Sequence, residues 1–251
     1  FILTFTTLIM CGCNYLQSKD LLNQASFAYN SGDYVRAEKL VKQALELNQQ
    51  NRRAKTFYAA AVRGQFLTGG NAIDNRELGL RTIKAYQELI VGESDFKELD
   101  KAYTIIAETY KVIGMNQECR QWLLKRVQLV GQKDAVRAEL YYLLATLCWE
   151  ESYRTTWRYY IRHSQPPAFR RSKEWQKGDV EKVKAIASEG INFIEDSLKI
   201  NPKYANSYAY RELLYRELGK VAPKLIPSRG QNDLEVFQRL NREAEALKGN
   251  E

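Results

Sequence analysis

Between Gly32 and Asn51 the chain reads GDYVRAEKLVKQALELNQQN, a glycine followed by two small residues, Ala37 and Ala44, seven positions apart. Seven residues make two helical turns, so both alanines share one face and let a neighbouring helix approach closely. Gly32 permits a tight turn ahead of that helix. A related frame returns in AYTIIAETYKVIGMNQECRQWLLKRV (102–127) and in GINFIEDSLKINPKY (190–204). Repetition of this kind builds a chain from stacked antiparallel helix pairs, because one pair cannot bury its apolar face alone. Only five prolines and 14 glycines interrupt 251 residues, which favours helices throughout. With 45% hydrophobic and 27% charged residues, a disordered chain is excluded.

The first stretch resembles the second half of a tetratricopeptide repeat, a helix–turn–helix unit. The resemblance makes Gly32 the inter-helix turn, Tyr34 a groove cap, and Ala37 and Ala44 the close-packing positions. In the second stretch it places Tyr103, Ala107, Tyr110 and Gly114 at the aromatic, small, aromatic and turn positions, with Cys119 in the small-residue slot of the next helix. In the third, Gly190, Ile194, Ser197-Leu198 and Pro202 fit a second helix and its stop. Counting on from Pro202, Tyr208 and Tyr215 fall on first-helix aromatic positions and Gly219 on a turn; these two tyrosines read as packing residues, and Tyr210 stays open.

The expected fold is all-α: a right-handed α-solenoid of about five such helix pairs spanning 18–248. The pairs are 18–30 with 34–48, 51–67 with 75–91, 97–113 with 116–130, 133–150 with 179–200, and 204–219 with 233–248. The second pair has a long connection around Gly69-Gly70. No strand or GK[ST] accompanies those glycines, so they cradle no phosphate. The last helix carries Leu234, Phe237, Leu240, Ala244 and Leu247 at helical spacing opposite charges, as a terminal cap requires.

Residues 1–17 read as an address. The chain starts without methionine, so it is read as a fragment, and residues 1–12 are uncharged and too short to span a bilayer. Met10-Cys11-Gly12-Cys13 resembles the lipobox of bacterial lipoproteins, which implies lipidation at Cys13 and a short polar tether behind it. An ordinary signal peptide or a truncated membrane helix is the alternative.

Residues 152–178, SYRTTWRYYIRHSQPPAFRRSKEWQKG, interrupt the fourth pair. Seven cations (Arg154, Arg158, Arg162, Arg170, Arg171, Lys173 and Lys177) face one acid, Glu174: 7 − 1 = +6 of the chain's net +8. Six aromatics, among them Trp157 and Trp175, are interleaved, and Pro166-Pro167 bends a helical arm of about 151–163 back on itself. Aromatics with arginine suit a protein interface, a membrane surface or single-stranded nucleic acid. Export disfavours the last. A plainer reading has the rings packing the insertion onto the helices while the arginines stay solvated.

Nothing points to chemistry. His163 is the only histidine, no CxxC occurs, and no glycine-rich nucleotide loop is present, so no catalytic residue, metal site or cofactor is expected. Paired carboxylates as in FKELDK read as solvated faces. In tetratricopeptide arrays first helices line a groove, which makes Tyr29, Arg53, Arg63, Glu108, Lys111, Tyr142, Trp149, Asn206 and Arg216 candidate partner contacts. The family's Lys/Asn carboxylate clamp is absent, since Leu22 and Ser26 hold its first-repeat positions.

The central insertion and the run INPKYANSYAYRELLYREL also resemble tetratricopeptide lipoproteins of acidobacterial type. The resulting expectation is a lipid-anchored envelope scaffold whose partners are other proteins. An outer-membrane assembly factor gripping unfolded clients is the second reading, and an enzyme using the insertion as a lid the third.

Overall fold

The computed structural model describes the backbone of residues 2–68, 72–163 and 177–222, with Lys224 and Arg242; side chains are described for 14–68, 75–157 and 178–222. Among the described residues there are nine helices and no strand: α1 (Ile2–Asn30), α2 (Tyr34–Leu47), α3 (Arg52–Thr68), α4 (Ala72–Leu89), α5 (Phe96–Val112), α6 (Asn116–Val127), α7 (Asp134–His163), α8 (Lys177–Ile200) and α9 (Ala205–Val221). They form two compact units, Phe1–Trp122 and Leu123–Glu251. The all-α expectation holds, and α1 with α2, α3 with α4 and α7 with α8 pack as the expected pairs.

In the N-terminal unit the helices pack in chain order, α1 on α2, α2 on α3, α3 on α4 and α4 on α5. The turns use the expected glycines: Gly32 and Gly114 have φ of 81° and 76°, a left-handed conformation that costs glycine nothing. Asp33 caps α2 by accepting from the Arg36 amide, and Asp95 caps α5 through the Glu98 amide. Ala37 and Ala44 are fully buried, as are Ala25 and Val41, and Ser18 ties α1 to α2 by donating to the Ala44 carbonyl at 3.1 Å. Tyr34 stacks edge-on against Tyr29 and lies flat over Gly64 of α3, whose missing Cβ makes the room. It is therefore a packing residue between the first two pairs.

In the C-terminal unit α7, α8 and α9 pack mutually around Ala145, Cys148, Ala187, Ile194 and Leu214. Tyr208 and Tyr215 lie half-buried against this core, and Tyr208 also donates to the Pro202 carbonyl at 2.9 Å. Ser197, in the small-residue slot, donates to Ala138 O on α7 at 2.8 Å and sits 2.9 Å from the Ser207 hydroxyl on α9, linking three helices at one point.

Four boundaries differ from expectation. Helix α1 is already helical at Ile2, so residues 2–17 join the first helix; Tyr15 and Leu16 stand exposed on it. Helix α4 starts at Ala72, leaving only residues 69–71 for the connection, since nothing in 72–78 breaks a helix. Gly219 is not a turn: α9 runs through it to Val221 because Leu218 and Val221 are buried, the latter beside Val183. Helix α7 likewise continues unbroken to His163, no glycine or proline occurring in 134–163. Ser152 and Thr156 on it are buried, so the packed helix extends beyond 152, and what leaves the pattern begins later. Apart from Arg242, which is helical and exposed, the expected 233–248 cap lies outside the described residues, as do Arg170, Arg171 and Trp175 of the insertion.

Candidate functional site

In the C-terminal unit a row of rings runs along α7. Trp149, Tyr153 and Trp157 recur every four residues, which places them one above another on the helix. Their planes are nearly parallel: Trp149 and Tyr153 are 5.4 Å apart at 25°, Tyr153 and Trp157 6.0 Å apart at 16°. Seven residues below Trp149, Tyr142 meets Tyr204 and Tyr210 edge-on at 5.4 and 5.2 Å, and Tyr210 also meets Trp149 edge-on at 5.5 Å. Perpendicular and offset-parallel contacts are the arrangements ring quadrupoles favour.

One continuous ladder results, half-buried at its foot and more exposed at its top. Tyr142 is deep enough that desolvation, helped by the neighbouring phenols of Tyr210 and Tyr204, pushes its pKa up to about 12. Its hydroxyl therefore stays neutral. Tyr153 and Trp157 remain 40% and 46% exposed. The indole nitrogen of Trp149 and the Ser152 hydroxyl are buried with no hydrogen-bond partner among the described residues.

Beside the ladder lies a charged brace. Thr156 donates to Glu217 Oε2 at 2.7 Å, and Lys220 reaches Glu217 Oε1 at 2.6 Å. Lys220 also stands over the Tyr153 ring, 5.7 Å from its centre. Glu217 is 4% exposed, and both of its oxygens are engaged, as a buried polar group requires. Thr156→Val should cost about 1–2 kcal/mol by stripping one donor from it. Urea unfolding measures that loss, and an unchanged midpoint would mean the bond is negligible.

Arg154 is exposed on the next register of α7, and Arg216 is exposed one turn before Lys220 on α9. Arg158 and Arg162 continue the Arg154 register along the helical backbone. The structure thus joins Tyr142 and Trp149, expected in the groove, to Trp157 of the insertion, and adds Tyr210, which the sequence left open. Thr156, Glu217 and Lys220 were missed. Their only sequence signal is the Glu217–Lys220 spacing, common on solvated helices.

The N-terminal unit holds the remaining candidates. Arg63 of α3 reaches Glu108 of α5 at 3.8 Å. Buried Tyr86 of α4 lies nearby: burial raises its pKa, and the Arg63 charge opposes the rise. Lys111 is exposed one turn beyond Glu108. Tyr29 instead packs against Tyr34 and Phe57, and Arg53 and Asn206 are simply exposed. Glu38, unremarked in the sequence, engages three partners in this unit. It accepts from Gln65 at 2.6 Å, pairs with Lys42 at 2.7 Å, and forms a short ion pair with Arg81. A groove of about 370 Å³ opens beside it, lined by Lys42, Leu45, Lys55, Tyr58 and Glu88.

No family model and no curated protein matches the chain. Solved structures do. The chain is similar to the crystal structure of MamA protein, at 15% identity over 92% of this chain and 94% of that one, with a TM-score of 0.51. It is also similar to the MamA RS-1 ArsTM double mutant, at 12% identity over 92% and 97%, TM-score 0.50. A tetratricopeptide repeat protein from Parabacteroides merdae aligns at 14% identity over 93% and 87%, TM-score 0.39. At such identities the likeness is one of fold.

Proposed function

We propose that this chain, an all-α array of tetratricopeptide-type helix pairs, is a lipid-anchored scaffold of a bacterial cell envelope that binds other proteins within a membrane-associated complex. The observation that carries the reading is the ladder of the C-terminal unit, whose two outer rings are half exposed between cations. Exposed aromatics beside arginine are enriched at protein interfaces, where rings supply rigid contact area and guanidinium groups fork onto carboxylates. Arg63, Lys111 and Arg216 are the further groove contacts. The fold itself supplies a platform and fixes no chemistry.

The anchor rests on Cys13 following Met10-Cys11-Gly12. Among the described residues no helix is long and apolar enough to cross a membrane. Acyl chains on Cys13 would contribute about 0.8 kcal/mol per buried methylene. Cys13→Ser should abolish acyl labelling and move the protein out of the membrane fraction; unchanged labelling would sink the anchor. Purification from native membranes in mild detergent tests the scaffold. A fixed stoichiometric partner is the expected result, whereas a heterogeneous set of unfolded chains would replace this reading with that of an assembly factor.

A further inference from the structure

Within that scaffold reading, we propose that a small cavity of the N-terminal unit receives the side-chain carboxamide of an asparagine or glutamine on the partner protein. The cavity, of about 50 Å³, lies where α3, α4 and α5 meet, and Ala60, Ile90 and Ala102 give it apolar walls. Tyr86 lines it and is only 7% exposed. The Tyr86 hydroxyl has no hydrogen-bond partner among the described residues. Burial raises its pKa, so it stays protonated and able to donate. An unpaired hydroxyl at this depth costs free energy, and a ligand that pairs it offsets that cost.

Charge rules out an ionic occupant. Arg52 and Lys101 stand against Glu93 and Glu98 around the cavity, 2 − 2 = 0. Arg63, whose charge also acts on Tyr86, is matched by Glu108 at 3.8 Å. Arg52 pairs with Glu93, whose other carboxylate oxygen accepts from the amides of Ser94 and Asp95 at 2.8 and 2.7 Å. The Glu98 carboxylate has no partner among the described residues, and its charge reaches the Tyr86 phenol. An aspartate entering here meets Glu93 and Glu98, and a lysine meets Arg52, Arg63 and Lys101.

A carboxamide is neutral and answers both open groups. Its carbonyl accepts from the Tyr86 hydroxyl, and its N–H donates to the Glu98 carboxylate. A serine or threonine hydroxyl offers one polar atom and cannot serve the two together. Size agrees as well. At about 10–15 Å³ per water molecule the cavity holds about three to five, comparable with the carbon, oxygen and nitrogen of a carboxamide. A site built to hydrogen-bond one group discriminates strongly against analogues that lack it.

The test uses the full chain and four synthetic peptides that are identical except for a central Asn, Asp, Lys or Ala. Nuclear magnetic resonance titration, which reads millimolar binding, should show the Asn peptide at least about fivefold tighter than each of the others. Tyr86→Phe keeps the ring and removes only the unpaired hydroxyl. It should weaken the Asn peptide at least about fivefold while the urea midpoint stays or rises. Glu98→Gln should shrink the preference for Asn over Asp. Equal binding of the four peptides, no binding, or a Tyr86→Phe protein that is less stable yet binds as before overturns the proposal. Free acetamide binding as tightly as the Asn peptide would assign the cavity to a small amide instead of a partner. If a stoichiometric partner still co-purifies with the Tyr86→Phe protein, the subsite falls while the scaffold stands. Asn selectivity without any co-purifying partner would remove the scaffold and keep the subsite.

Discussion

Gly190→Val should lower the stability of the C-terminal unit by about 3 kcal/mol, seen as an earlier urea midpoint in its unfolding transition. Glycine inside a helix costs about 1 kcal/mol relative to alanine, so its presence in α8 needs a reason. The reason is proximity. A Cβ placed there would stand 2.8 Å from Cys148 Cβ on α7 and 2.8 Å from Leu214 Cδ2 on α9, well inside the roughly 3.5–4.0 Å at which carbon atoms attract. Cys148 and Leu214 are fully buried and cannot swing aside into solvent.

Gly190→Ala should be milder, because the improved helix propensity offsets part of the crowding. Leu214→Ala alone should cost about 2–5 kcal/mol as a cavity. Combined with Gly190→Ala it should cost less, since the added methyl occupies part of the vacated space. Strict additivity of the two would show that α7, α8 and α9 do not converge at this point.

The second large effect belongs to Glu38. It is 6% exposed yet charged, and three helices meet on its carboxylate through Lys42 of α2, Gln65 of α3 and Arg81 of α4. Glu38→Ala should cost about 2–3 kcal/mol, because Gln65 and Arg81 then lose their common acceptor. Arg81 reaches solvent, with 35% of its side chain exposed, which keeps the loss below that of a wholly buried pair. Glu38→Met combined with Arg81→Met should recover part of it.

The pH dependence follows from the sign of the Glu38 shift. Burial pushes its pKa up, but the hydrogen bonds from Lys42 and Gln65 and the Arg81 charge outweigh that, and the carboxyl titrates below its ordinary value. A depressed folded pKa means the stabilisation is present above the unfolded value, about 4.3, and is lost as pH falls through the folded one. The stability gap between the natural protein and Glu38→Gln should therefore be flat from neutrality to about pH 5 and shrink below about pH 4. A gap that widened in acid would reverse the assignment.

Local geometry made the helix pairs legible. Positions needing a small residue or a left-handed turn carry Ala37, Ala44, Ser197, Gly32 and Gly114, and few other residues satisfy those demands. Gly219 misled because a glycine near a helix end signals a turn only when nothing beyond it needs burying, and Val221 does. Glu38 stayed hidden for a different reason. Its Lys42 spacing is that of any solvated ion pair, while its other partners lie 27 and 43 residues away. Tyr142 and Trp149 were legible as a seven-residue face, but their union with Tyr210 depends on how α9 returns along α7.

The contact of Thr156 with Glu217 fixes where α7 stands about its own axis relative to α9. Inserting or deleting a single residue between Trp149 and Thr156 would rotate everything beyond by about 100°, tearing the hydroxyl from the carboxylate and aiming Trp157 elsewhere. Relatives that keep this surface are accordingly expected to hold the count of residues between Trp149 and Thr156 constant, with length changes confined to the chain after Trp157.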